Sequence, residues 1–156
     1  MKCLPGKLNG RQLFYLKIEE SVDALRAAQL DNWVLLVIED NAENPILWEF
    51  ANLCIEKHLL YMVAVGLAGS EIDDLFDFAI LEREFDHYSL PKWMKSDNDV
   101  LMTAWFDDFE EAVWFIFNSA YYEDHVIDTV LIVNLTRESR EADIAQLISK
   151  FEEMKL

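Results

Sequence analysis

The stretch Asp99–Glu111 reads Asp-Val-Leu-Met-Thr-Ala-Trp-Phe-Asp-Asp-Phe-Glu-Glu, and its pattern is the one on which the rest of the chain is organised. A run of apolar and β-favouring residues from Val100 to Phe106 stops at two aspartates, and an aromatic-rich helical pattern begins at Phe109. The stretch therefore predicts a strand, an acidic turn and a helix in succession.

The same strand–helix unit is predicted five times along the chain. The predicted strands are Gln12–Ile18, Trp33–Ile38, Leu60–Val65, Val100–Phe106 and Thr129–Leu135. A helical pattern follows each of them; the third helix is expected to run to about His87, and Ser89–Asn98 is expected to be irregular. Because neighbouring parallel strands need crossover helices, this alternation predicts an α/β fold. We expect a three-layer α/β/α sandwich with a mostly parallel five-stranded sheet, Rossmann-like or flavodoxin-like.

Length and composition predict one domain. A chain of 156 residues with 53% hydrophobic residues is long enough to bury a core without a metal or a disulfide scaffold. Residues 1–10, which contain Pro5, Gly6 and Gly10, are expected to form a loose N-terminal lead-in to the single domain 1–156. No apolar run is long enough to cross a bilayer and none resembles a secretory signal, so the expected location is cytoplasmic.

The distribution of charge narrows the classes of partner. The net charge is −17, and residues 96–136 contain nine acidic residues and no lysine or arginine. Such a surface repels phosphate backbones and anionic lipids, so we expect neither nucleic acid nor membranes as partners. A basic protein partner, a metal ion or simple solubility are the remaining explanations for the charge.

Acidic residues follow several of the predicted strands, where ligands bind in open parallel sheets. Glu39 and Asp40 come after the second strand, and Asp107 and Asp108 come after the fourth. If the carboxylates of Glu39, Asp40 and Asp107 converge, they offer the oxygen ligands that Mg²⁺ prefers. This is the sequence argument for a metal site, and Mg²⁺ is the only cofactor that it suggests.

Helix capping accounts for part of the same acidic cluster. Asp108, with Glu111 three residues later, has the spacing of a helix cap, and Glu110 and Glu111 favour the positive end of a helix dipole. Capping leaves Asp107, Glu39 and Asp40 unexplained, and for these three residues a metal site and simple solubility both stay open.

The helix that begins at Phe109 is apolar around most of its circumference. Phe109, Ala112, Val113, Ile116 and Ala120 already form a complete core stripe at helical spacing. A second stripe consists of Trp114, Phe117 and Tyr121. We expect this second stripe either to be buried within the fold or to form an interface, since aromatic residues are enriched at interfaces.

Two functions are therefore open at the level of sequence. The first is a non-enzymatic acidic interaction domain that binds a basic protein partner or associates with itself as a homodimer. In size and charge the chain resembles small acidic inhibitors such as the immunity proteins that neutralise basic nuclease toxins, although no motif is shared. The alternative is a divalent-metal-dependent domain for phosphoryl transfer or hydrolysis, with Glu39, Asp40 and Asp107 as the metal ligands.

Overall fold

The computed structural model describes residues 1–85, 101–122 and 125–154. The predicted end of the third helix near His87 and the predicted irregular segment Ser89–Asn98 lie outside these residues. The elements, in chain order, are β1 Lys2–Leu8, β2 Arg11–Lys17, α1 Asp23–Ala27, β3 Trp33–Ile38, α2 Leu47–Glu56, β4 Tyr61–Val65, α3 Gly69–Phe85, β5 Met102–Phe106, α4 Phe109–Asn118, β6 Thr129–Asn134 and α5 Glu141–Met154. Among the described residues, no helix combines the length and the apolar character needed to cross a membrane.

The described strands form one six-stranded sheet in the order β1-β2-β6-β3-β4-β5. The strands from β2 to β5 in this order are parallel, as the alternation predicted, whereas β1 pairs with β2 antiparallel. The expectation of a loose lead-in over residues 1–10 is wrong, because Leu4 and Leu8 are buried under the sheet and hold β1 at its edge. The sheet therefore has one strand more than the sequence predicted.

Helices cover both faces of the sheet and create two separate cores. Buried residues of α1, α2 and α3 pack on the face that carries Leu35 and Val37 of β3. Buried residues of α4 and α5 pack on the opposite face, which carries Val34 and Leu36. The central strands β3, β4 and β6 contribute alternate residues to the two cores because successive side chains point to opposite faces. The result is a three-layer α/β/α arrangement.

The strand order differs from both of the folds to which the alternation was compared. The five parallel strands, numbered by their order in the chain, lie in the spatial order first, fifth, second, third, fourth. Dinucleotide-binding Rossmann sheets have the order 3-2-1-4-5-6 and flavodoxin-like sheets the order 2-1-3-4-5. The Rossmann-like or flavodoxin-like expectation is thus correct for the layers and wrong for the topology. The difference arises because β6 inserts between β2 and β3.

Helix α4 is fixed at both ends by side chains. At its start, the N–H of Glu111 donates a 3.0 Å hydrogen bond to Asp108 Oδ2, which confirms the predicted cap. At its end, Arg11 donates 2.6 Å hydrogen bonds to the carbonyl oxygen of Ile116 in the last turn of α4 and to that of Ala120 just after the helix. The β1–β2 hairpin therefore holds the C-terminal end of α4 against the sheet.

Candidate functional site

A crevice opens at the carboxyl ends of β2, β6 and β3, and it has a volume of about 670 Å³. Its walls are the three segments that follow these strands. The lining consists of Ile18, Glu19 and Glu20 after β2, of Glu39, Asp40, Asn41 and Asn44 after β3, and of residues 135–137 at the end of β6. The volume lies within the range of about 300–1,000 Å³ that is typical of ligand pockets.

The topology of the chain explains why the crevice forms at this position. The helices that follow β2 and β3 pack on one face of the sheet, whereas α5, which follows β6, packs on the other. Since β6 lies between β2 and β3, the segments leaving these three neighbouring strands diverge to opposite faces. This divergence is the topological switch point at which open α/β sheets generally bind their ligands.

A buried carboxylate shapes the wall of the crevice that follows β3. Only 2% of Glu39 is exposed. Its Oε1 accepts hydrogen bonds from the backbone N–H groups of Asp40 (2.9 Å) and Asn41 (3.0 Å), and its Oε2 accepts one from Asn44 Nδ2 (2.9 Å). The carboxylate therefore holds the segment that follows β3 in a closed turn around itself.

A buried amide shapes the wall that follows β6. Asn134 is fully buried, and its Nδ2 donates to the hydroxyl of Tyr15 (3.0 Å) and to the carbonyl of Glu138 (2.7 Å). Its Oδ1 accepts a hydrogen bond from the N–H of Thr136 at 2.9 Å. The Tyr15 hydroxyl in turn accepts from the N–H of Arg140 at 3.1 Å. This network fixes residues 135–140 relative to β2.

Asp40 connects the crevice to the neighbouring loop after β4. Its Oδ1 accepts a 2.9 Å hydrogen bond from the N–H of Leu67. Gly66 lies beside it with a φ of +114°, and a Cβ at this position would be 2.4 Å from the carbonyl oxygen of Glu39. Only glycine adopts this backbone conformation readily and leaves room for the close approach. The loops after β3 and β4 are thus packed directly against each other.

The charges that line the crevice are mostly negative. Four carboxylates, those of Glu19, Glu20, Glu39 and Asp40, share the crevice with one guanidinium, that of Arg137. Lys17 Nζ donates a 2.8 Å hydrogen bond to Glu19 Oε1 and lowers the pKa of that carboxyl. Glu19 therefore stays ionised, and the crevice has an excess of negative charge at neutral pH.

The structure separates the three carboxylates that were predicted to bind a metal. Glu39 and Asp40 line the crevice, whereas Asp107 follows β5, which lies two strands away from β3 across β4. Their carboxylate oxygens do not form a group in which all three lie within 4.8 Å of one another. Among the described residues, the three carboxylates whose oxygens lie within 4.8 Å of one another belong to a different element, at Asp73, Asp74 and Asp77 on α3.

The structure also divides the predicted aromatic stripe of α4. Trp114 and Tyr121 are 44% and 69% exposed, but Phe117 is only 1% exposed and belongs to the core. The reason is the helical turn of about 100° per residue, which places Phe117 about 40° from the buried Val113 and about 60° from Trp114. Phe117 is therefore not an interface residue, and the exposed part of the stripe is Trp114 and Tyr121.

Several residues of the crevice have no strong signal in the sequence. Arg137, Asn41 and Asn44 line it without belonging to any recognisable motif. Tyr15 supports it from within a strand, where an aromatic residue reads as ordinary core. The one signal that was available is position, because Glu19, Glu39 and Asn134 each stand at the end of a predicted strand.

Comparison with known families places the chain in one of them. The family model described as "Domain of unknown function (DUF7684)" matches residues 12–151, which run from the second residue of β2 to within three residues of the end of α5. The chain therefore belongs to this family. No curated protein and no solved structure matches the chain.

Proposed function

We propose that this member of the DUF7684 family is a non-enzymatic interaction domain that binds a basic protein, and that the crevice accepts a lysine or arginine side chain of that partner. The observation that carries the proposal is the composition of the crevice, which is lined by four carboxylates and a single guanidinium. The crevice lies at the position in the sheet where α/β domains bind their ligands.

Electrostatics favour a cationic ligand at this site. The net charge of −17 attracts cations to the whole molecule, and a concave site lined by carboxylates concentrates that field. Within the crevice, the exposed Glu20 and residues 136–137 belong to different walls. A guanidinium or ammonium group held between these walls forms charge-assisted hydrogen bonds with the carboxylates.

The hydrogen bonds of Glu39 and Asp40 favour binding over metal-dependent chemistry. Both oxygens of Glu39 and the Oδ1 of Asp40 already accept hydrogen bonds from loop N–H groups. A metal ion would have to compete for these lone pairs and would release the loops that form the walls. The carboxylates therefore serve the shape and the charge of the crevice.

The charge also favours a different protein over a second copy of the chain. Two copies would each bring a net charge of −17 to their interface, and like charges in contact are unfavourable. A basic partner gains affinity and association rate from the same charges. Small acidic inhibitors of basic proteins act in this way, which is the role that the size and charge of the chain suggest.

A peptide titration followed by ¹H–¹⁵N NMR tests the proposal. The probe is a blocked tripeptide with a central arginine, and the control peptide contains citrulline, which keeps the shape of arginine and removes its charge. We expect the arginine peptide to shift the amide signals of Glu20, Asn41 and Thr136. We expect Glu20→Gln to weaken binding by about two- to fivefold, the range for loss of one exposed ion pair.

The matched control variant is Asp31→Asn, which removes a carboxylate from the turn before β3, at the end of that strand opposite to the crevice. It should leave the affinity for the arginine peptide unchanged. Equal binding of the arginine and citrulline peptides, or shifts confined to residues outside the crevice, would show that the proposal is wrong.

A further inference from the structure

A second concave surface lies where the first two turns of α4 meet the last turns of α5 and the end of β5. We call it the α4–α5 groove; its volume is about 460 Å³. Its apolar lining consists of Phe106, Trp114, Phe115, Phe151 and Met154. None of these residues lines the crevice, so the two sites are separate.

Two large apolar side chains in the lining of the groove are exposed to solvent. Trp114 is 44% exposed and Met154 is 68% exposed. Phe115 is partly buried, because its ring packs on Tyr61 and Phe106 at centroid distances of 5.6 and 5.1 Å. Phe115 is thus a fixed support, and Trp114 and Met154 offer the free apolar surface. A partly exposed tryptophan beside a flexible methionine is typical of surfaces that bind protein partners.

The rim of the groove is acidic. Asp108, Glu110 and Glu111 line it, and Lys150 is the single basic residue among the residues lining it. Lys150 forms an ion pair with Glu110, so one of the three carboxylates is already neutralised within the chain. Asp108 and Glu111 leave the rim with an excess negative charge.

We infer that the α4–α5 groove binds an amphipathic helix of a basic protein, with the apolar face of that helix on Trp114 and Met154 and its lysine or arginine residues against Asp108 and Glu111. Charge complementarity selects this occupant. A second copy of the chain would bring its own acidic rim to the groove, whereas a basic helix pairs with both the apolar floor and the acidic rim. Helices recognise such grooves through apolar residues at positions i, i+3, i+4 and i+7.

This inference rests on the proposed function in one respect, namely that the partner is basic. It adds a second site, and the two sites can be tested independently, because the groove and the crevice share no residue. Glu20→Gln in the crevice should leave groove binding unchanged. A failure at the groove therefore does not count against the crevice, and the reverse also holds.

Calorimetric titration with designed peptides tests the inference. The probe is a peptide of about 18 residues with leucine at the helical spacing i, i+3, i+4, i+7 and lysine elsewhere. One control peptide replaces every lysine with glutamate, and another has the composition of the probe in a scrambled order. We expect the probe to bind, the glutamate peptide not to bind, and the scrambled peptide to bind at least about tenfold more weakly because it has no continuous apolar face.

Paired tryptophan variants locate the site. Trp105 on β5 is 45% exposed, which is about the same as Trp114 at 44%, but it does not line the groove. We expect Trp114→Ala to weaken binding of the probe by about tenfold or more, as for a tryptophan at the centre of an interface. Trp105→Ala should change the affinity by less than about twofold. Met154→Ser, on an exposed last turn, gives a second groove variant if Trp114→Ala does not fold.

Three results would overturn the inference. The first is equal binding of the lysine and glutamate peptides, since it would remove the role of the acidic rim. The second is equal weakening by Trp105→Ala and Trp114→Ala, since it would place the peptide elsewhere. The third is a dimer of the chain alone, seen by analytical ultracentrifugation and dissociated by Trp114→Ala, since the groove would then be occupied by a second copy.

Discussion

Replacement of Glu39 by alanine gives the most direct test of how the crevice is built. The carboxylate accepts three hydrogen bonds at 2.9–3.0 Å and is 2% exposed. Hydrogen bonds to a charged group contribute about 1.5–3 kcal/mol each, so the gross loss is several kcal/mol. Two effects reduce it, because water from the crevice can hydrate the freed N–H groups and because a buried carboxylate is costly to desolvate.

We therefore expect Glu39→Ala to lower the free energy of unfolding by about 3 kcal/mol. For a chain of 156 residues this corresponds to a fall in melting temperature of roughly 6–12 °C. The measurement is urea unfolding at neutral pH, combined with hydrogen exchange of the amides of Asp40 and Asn41. These two amides should exchange much faster in the variant, because they lose their acceptor.

Glu43→Ala is the matched control, since Glu43 is an exposed glutamate in the same segment. It removes the same charge without removing a buried acceptor, so its effect should stay within about 0.5 kcal/mol of zero. If the two variants differ by less than about 1 kcal/mol, the carboxylate of Glu39 is not what holds the wall of the crevice.

Two further predictions concern other parts of the chain. Burial raises the pKa of Asp77, against the opposing effect of the hydrogen bond from Thr103. The carboxyl of Asp77 therefore takes up a proton at a higher pH in the folded state than in the unfolded state, and its own contribution to stability becomes more favourable as the pH falls towards the ordinary carboxyl pKa of 3.8. Asp77→Asn should stabilise the chain at neutral pH, and its advantage over the wild type in urea unfolding should shrink as the pH falls; an advantage independent of pH would contradict this account. Arg11→Met removes two 2.6 Å hydrogen bonds to carbonyl oxygens in and just after the last turn of α4, and it should cost about 2–4 kcal/mol in urea unfolding. Arg26→Met, which breaks an exposed ion pair, should cost less than about 1 kcal/mol, and equal costs would argue against a role for Arg11 in holding α4.

The parallel part of the sheet was predictable because its signal is local. Each central strand is buried on both faces, so it appears in the sequence as a continuous apolar run, as in Trp33–Ile38. Runs of this kind fix the identity of a strand from about six residues, without knowledge of its neighbours. Four of the five predicted strands differ from the observed strands by at most one residue at each end. The remaining predicted strand, Val100–Phe106, corresponds to β5, and its start can be compared only from Leu101, where the described residues resume.

The missed strand β1 also had a local signal. Asn9 and Gly10 have φ values of +54° and +74° and join Leu8 to Arg11 as a two-residue hairpin turn. An Asn-Gly pair is the strongest short-range hairpin signal, because both turn positions need positive φ. Proline and glycine nearby suggested an irregular segment, but Gly6 lies within a register shift of β1, and a strand at the sheet edge tolerates both residues.

The arrangement of the site could not be read from the sequence, because it depends on strand order. Glu39 and Asp107 each follow a predicted strand, and nothing in their neighbourhood says that β4 lies between β3 and β5. The same holds for Tyr15 and Asn134, which are far apart in the chain and come into contact only because β6 pairs with β2. Local patterns identified the strand ends, and long-range pairing decided which ends meet.

The positions of the buried polar side chains support the crevice as the functional site. Glu39, Asn134 and Arg83 are the buried polar or charged residues among those described, and the first two stand at neighbouring strand ends beside the crevice. A buried polar group lowers stability unless every one of its hydrogen bonds is satisfied. Ordinary turns with solvent-exposed helix-capping residues would connect β3 to α2 and β6 to α5 without burying any polar side chain. The buried hydrogen-bond network gives both walls of the crevice a fixed shape. A fixed shape matters for a site that binds a ligand, whereas a loop that only joins a strand to a helix does not need it.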